Sequence, residues 1–133
     1  MQEYRYSTRD GTSLRFQVFS PAQSGGEKGK HPAIIFWFGG GWMNGTTKQF
    51  SYQSQWFAEK GFVAFTPEYR TYKDGYSFLT DMQDAFDFLQ YLDANTEQFF
   101  IDRESIFLSG GSAGGYLAVS TVMFHCLQIK LKI

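Results

Sequence analysis

The sequence predicts an α/β fold, a mostly parallel sheet with flanking helices, and three observations carry that expectation. Apolar runs at Ala33–Phe38, Phe62–Phe65 and Ile106–Leu108 are continuous rather than alternating, which suits strands buried on both faces. Segments of helical period separate them, so a strand–helix–strand–helix–strand–helix order follows an opening hairpin. Glycine turns close the first and last of the three runs, at Gly39–Gly41 and Gly110–Gly115.

Taken in order, Tyr4–Ser7 and Leu14–Phe19 read as strands, and the Asp10-Gly11 step between them is a hairpin signal. The polar, glycine-rich stretch from Gln23 to Lys30 reads as an exposed loop. A helix is expected from about Lys48 to Lys60, with Gly61 as its C-terminal stop. After the strand at Phe62–Phe65 comes Thr66-Pro67-Glu68-Tyr69-Arg70 and a loop containing Asp74-Gly75. Ser77 is placed to cap the clearest helix. There Phe78, Met82, Ala85, Phe86, Leu89 and Leu92 share one face, and Asp81, Asp84 and Asp87 are expected on a solvated one.

With 133 residues there is room for one modest domain. Aromatic residues make up 20% of it, enough for a large core, which argues against disorder. Net charge is −1 with scattered basic residues, unlike the footprint of a nucleic-acid binder. No apolar run approaches the ~18 residues of a membrane span. The N-terminus enters strand-like sequence directly and lacks the apolar core of a signal peptide, so the expected location is cytoplasmic if Met1 is the true start. The lone Cys126 excludes an internal disulfide. No Cys/His cluster has metal-ligand spacing, and no metal or organic cofactor is implied. Gly40 to Thr47 matches a phosphate-binding loop only loosely, because Thr46 stands where lysine is needed.

The chemistry-bearing motif is Gly110-Gly111-Ser112-Ala113-Gly114-Gly115, between a strand-like run and a helix-like one. That is the setting of a G-x-S-x-G nucleophile elbow, whose glycines at positions 110 and 114 leave room for a sharp, strained turn. A second motif, Phe38-Gly39-Gly40-Gly41-Trp42, directly follows a buried strand. Acyl transfer needs backbone N–H donors aimed at a developing oxyanion, and adjacent glycines let bare backbone approach a substrate. Trp42, beside them, is placed to border an acyl pocket.

Together these motifs resemble the N-terminal half of an α/β-hydrolase of the esterase/lipase type, near the hormone-sensitive-lipase-like and acetyl-esterase branches. The match covers about residues 14–119 of a single partial domain, 1–133. The resemblance implies Ser112 as nucleophile and Gly40, Gly41 and Ala113 as oxyanion-hole positions. It implies a serine carboxylic-ester hydrolase acting through an acyl-enzyme on a small ester, short-chain or a carbohydrate acetyl ester, with peptidase chemistry left open. Glu68-Tyr69-Arg70 resembles a structural segment of such enzymes, and Asp102-Arg103-Glu104-Ser105-Ile106 the turn before the elbow strand.

Two features depart from the pattern. Phe38 replaces the histidine that many relatives carry before the triplet. The family order is Ser, then Asp or Glu, then His, yet no acidic residue follows Ser112. His125 is some thirteen residues on, about 20 Å along a helix and too far for a base, and His31 is expected at the surface. The expectation is therefore a truncated form, catalytically incomplete, with the elbow strand as an exposed edge open to self-association. The alternatives are a non-catalytic hydrolase remnant or interaction protein, and a chain completed by a second one carrying acid and histidine.

Overall fold

The apolar run that begins at Ala33 forms an inner strand, β3 (His31–Trp37), and is buried along most of its length. Its side chains alternate between two cores. Ala33, Ile35 and Trp37 enter one, and Ile34 and Phe36 enter the other. The structure, a computed structural model, describes residues 1–22 and 29–131, with 125–131 as backbone alone. The expected loop at Gln23–Lys30 thus lies largely outside the described residues.

Around β3 stand β1 (Gln2–Ser7), β2 (Ser13–Phe19), β4 (Val63–Pro67) and β5 (Ile101–Gly110). They form one sheet of order β1-β2-β4-β3-β5. The β1–β2 hairpin and the β2–β4 pair are antiparallel, whereas β4 and β5 flank β3 in parallel. Helix α1 (Ser51–Glu59) supplies Ala58 to one core, while α2 (Phe78–Ala94) and α3 (Ala113–Leu131) supply Phe88 and Leu117 to the other. This is the mostly parallel sheet with helices on both faces that the sequence predicts.

The larger core is an aromatic lattice. Phe88 has no exposure, and its ring meets those of Tyr6, Phe16, Trp37 and Phe65 at centroid distances of 5.2 to 6.2 Å. Those partners come from four strands, so one side chain of α2 ties the helix to the sheet from β1 to β3.

Several boundaries differ from expectation for physical reasons. The helix expected over 48–60 divides into a 3₁₀ turn at Thr47–Phe50, capped by the Thr46 hydroxyl, and α1 proper. Ser77 occupies the N-cap of α2, but its hydroxyl faces Thr80 Oγ1 at 3.4 Å rather than a backbone amide. Strand β5 begins five residues before Ile106. Its register against β3 jumps from His31↔Ile101 to Ala33↔Ile106, and in the interval Asp102 accepts from Glu104 N–H and Ser105 O–H. The expected turn is thus a bulge inside the strand. His31 is half-buried, not at the surface, with Nδ1 2.9 Å from Gly61 O.

The acidic face of α2 is the clearest correction. Asp81 and Asp84 have no exposure and Asp87 has 6%. Arg70 reaches Asp84 with Nε and Nη2 at 3.0 and 2.7 Å, and Arg9 holds Asp87 at 2.7–2.9 Å. Arg70 also binds Asp10 of the hairpin turn at 2.7 Å, and Thr8 and Arg70 hold that carboxyl well below the ordinary carboxylate range. The spacing hid this because both arginines arrive from outside the helix.

Asp81 differs from its neighbours. Neither carboxyl oxygen has a hydrogen-bond partner, and burial, reinforced by Asp84, pushes its pKa up to about 6. On the outer side of the sheet, β5 has no second strand partner among the described residues. Phe107 on β5 is 53% exposed and its ring meets Phe62, while α3 also exposes Val119, Met123 and Phe124. No helix among the described residues is long and apolar enough to cross a membrane.

Two outcomes are expected. Phe88→Ala removes the hub of the lattice and lowers unfolding free energy by about 3–5 kcal/mol in urea titrations. Ionised Asp81 destabilises the fold, a penalty complete above about 6 and relieved as pH falls toward the ordinary 3.8. Stability of the wild type therefore rises relative to Asp81→Asn between about pH 7 and pH 5. Parallel pH profiles of the two urea midpoints would contradict it.

Candidate active site

Strand β5 and helix α3 meet in a turn too tight for side chains. Gly111 N–H donates to Trp37 O at 3.3 Å, Gly114 N–H to Gly111 O at 2.9 Å, and Tyr116 N–H to Ser112 O at 3.0 Å. A Cβ on Gly110 would sit 2.4 Å from the Gly114 carbonyl carbon, and one on Gly114 would sit 2.1 Å from Trp37 O. Ser112 at the apex has φ 52°, a left-handed conformation that non-glycine residues rarely adopt. It is exposed, while Ala113 and Leu117 behind it are buried. Such strain in an exposed hydroxyl-bearing residue is a mark of a functional position.

The glycine triplet reaches the same turn from β3. A Cβ on Gly39 would lie 2.5 Å from Gly111 O and 3.4 Å from the Ser112 Cβ, so bare backbone is required where the loop touches the elbow. Gly40 and Gly41 follow with φ 150° and 62°, and Trp42 with φ 66°. Gly40 O accepts from Met43 and Asn44 N–H, which curls the loop back on itself. Among the described residues, the N–H groups of Gly40, Gly41 and Ala113 donate to no protein acceptor. An exposed hydroxyl beside unspent amides, with a helix N-terminus behind it, is an arrangement suited to stabilising negative charge on a reacting oxygen.

An aromatic wall stands one helical turn from the serine. Trp42 meets Phe78 of α2 and Tyr116 of α3 edge-on, at centroid distances of 5.1 and 5.7 Å. Below the loop, Phe38 stacks on Tyr69 at 4.2 Å, and Gly45 leaves the space that the Phe38 ring fills. Burial pushes the Tyr69 phenol well above its ordinary pKa, so it is a donor at neutral pH. Its hydroxyl donates to Phe38 O at 2.7 Å, and Gly39 N–H donates to Gln49 Oε1 at 2.6 Å. Phe50 stacks on Phe36 and approaches Gly111. Gln49 and Phe50 carried no sequence signal, since both read as ordinary helix residues.

Neither histidine completes the site among the described side chains. His31 opens β3, opposite the start of β5, and Ser112 follows the far end of β5. His125 falls on α3, about 18 Å beyond Ala113 at 1.5 Å per residue, and its side chain lies outside the described residues. Among the described residues no group of His, Cys, Asp and Glu could hold a metal ion. Two surface hollows of about 500 and 450 Å³ lie elsewhere, one around Arg5, Tyr91 and Asn95, the other behind the loop around Asn44, Tyr69 and Lys73. Neither is lined by Ser112, so backbone geometry rather than concavity identifies this site.

The chain resembles known proteins in sequence and in fold. The BD-FAE family model matches residues 17–127. An arylacetamide deacetylase from Bos taurus is 31% identical over 124 residues, 88% of this chain and 30% of that protein. An esterase from Gibberella moniliformis is 28% identical over 101 residues, 75% of this chain and 31% of that one. Among solved structures, a thermophilic esterase from Thermogutta terrifontis superposes with a TM-score of 0.80 at 31% identity, over 88% of this chain and 42% of that one. The chain thus spans about a third of these curated relatives and under half of that structure.

The close approach predicts unequal costs for two glycine substitutions. Gly41→Ala meets open space and carries only left-handed backbone strain, about 1–2 kcal/mol. Gly114→Ala drives a methyl into Trp37 O and must separate β3 from α3, so its unfolding midpoint falls further. Equal midpoints would contradict the packing described.

Proposed function

This chain belongs to the BD-FAE family, within the α/β-hydrolase fold, and on that premise we propose that it carries the nucleophile half of a serine carboxylic-ester hydrolase. The observation that supports this reading most is the strained, exposed Ser112 beside the Gly39–Gly41 loop. In the proposed reaction Ser112 Oγ attacks the ester carbonyl carbon and its proton passes to a general base. The carbonyl oxygen becomes an oxyanion that accepts hydrogen bonds from the amides of Gly40, Gly41 and Ala113. Collapse expels the alcohol, which takes up the proton, and leaves an acyl-serine that water resolves into the acid.

A small acyl group fits this reading. The Thermogutta terrifontis esterase has been described with propionate and with butyrate bound, and here Trp42, Phe78 and Tyr116 wall the space near the serine. The base and its orienting acid are the parts that the described side chains do not supply. In serine hydrolases that lack triad members, oxyanion hole and binding alone leave about 10³–10⁴-fold catalysis over water.

Purified wild type and Ser112→Ala are compared on an activated acetyl or butyryl ester. The hydrolase reading predicts a wild-type rate above the residual rate of Ser112→Ala, with an acyl adduct on Ser112 by intact mass. Equal rates and no adduct would establish a non-catalytic chain instead.

A further inference from the structure

The Phe38–Gly39 peptide is gripped on both of its polar edges. Its carbonyl accepts from Tyr69 Oη at 2.7 Å and its N–H donates to Gln49 Oε1 at 2.6 Å. A trans peptide is a rigid plane with C=O and N–H on opposite sides, so two partners on the two sides fix its rotation. The next amides in the chain are those of Gly40 and Gly41, at φ values where no side chain braces the backbone.

We propose that Gln49 and Tyr69 act as positioning residues that clamp this peptide and thereby set the aim of the Gly40 and Gly41 N–H groups, a role resting on their proposed function as oxyanion donors. The two residues come from different parts of the fold. Gln49 lies in the 3₁₀ turn before α1, and Tyr69 follows β4. Tyr69 is itself held on both sides, because its ring stacks on Phe38 and Arg70, next in sequence, is bound to Asp84. Next to Gln49, Phe50 packs against the approach to Gly111, so one short turn braces both the loop and the elbow. The clamp also gives a physical use to Phe38, since an aromatic ring there extends the stack that orients the Tyr69 hydroxyl.

The test separates geometry from turnover. In the full chain, the Gly39 amide is read by ¹⁵N–¹H NMR for hydrogen exchange in wild type, Gln49→Leu, Gln49→Glu and Tyr69→Phe. The clamp predicts a protected Gly39 amide that exchanges at least about tenfold faster in Gln49→Leu. Gln49→Glu keeps the acceptor oxygen and restores protection, and Tyr69→Phe moves the Gly40 and Gly41 resonances while spectra elsewhere stay folded. On an activated ester, Gln49→Leu is expected to lower kcat about tenfold with KM nearly unchanged, and Gln49→Glu to recover it. Gly39 exchange indifferent to Gln49, or Gly40 and Gly41 resonances indifferent to both substitutions, would overturn the clamp. If Ser112-dependent hydrolysis is absent but the NMR pattern holds, the clamp stands as geometry and the hydrolase reading fails.

Discussion

The site rests on direct backbone-to-backbone contact between the end of β3 and the turn that begins α3. Gly39 lies against Gly111, and Gly114 lies against the carbonyls of Trp37 and Phe38, at separations that admit no Cβ. The parallel β3–β5 ladder runs up to Trp37↔Gly110, and Gly111 N–H donates to Trp37 O just beyond it. The packing around the two backbones holds the same contact from outside. Trp37, fully buried two residues before the glycine loop, is wedged between Phe88 and Tyr69. Leu117 and Ala118, one turn into α3, enter the same core.

This gives the polar network on α2 a role beyond local pairing. Arg70 and Arg9 bind Asp84 and Asp87 on the helix, and Arg70 also binds Asp10 in the hairpin turn. A buried pair of this kind is weak support for stability by itself, because desolvation opposes the attraction. Its geometric effect is clearer. It fixes the chain at Arg70 and so the neighbouring Tyr69, whose ring and hydroxyl both meet the residue preceding the glycine loop. Asp81 shows the opposite case, a buried carboxyl with no such partner and a raised pKa.

What could be read from the sequence was local in origin. The Asp10-Gly11 turn, the doubly buried strands and the strand–turn–helix around Ser112 follow from neighbours a few positions apart. The order of elements then restricts the sheet to few topologies. What could not be read depends on partners distant in the chain. Asp84 and Asp87 looked solvated because their arginines lie fourteen and seventy-eight positions away. The start of β5 was hidden because a bulge with charged residues breaks its apolar run. Gln49 sits among polar residues, and only the fold brings it to Gly39. The elbow and the triplet were legible as motifs, whereas their mutual contact required the structure.

The most direct test of the account is a crystal structure of the chain soaked with a short alkylboronic acid, which forms a tetrahedral adduct with an accessible serine. The account predicts boron bonded to Ser112 Oγ, with one boron-bound oxygen within hydrogen-bonding distance of the Gly40, Gly41 and Ala113 amides. An ordered site with Ser112 unmodified, or an adduct whose oxygens face away from those three amides, would contradict it.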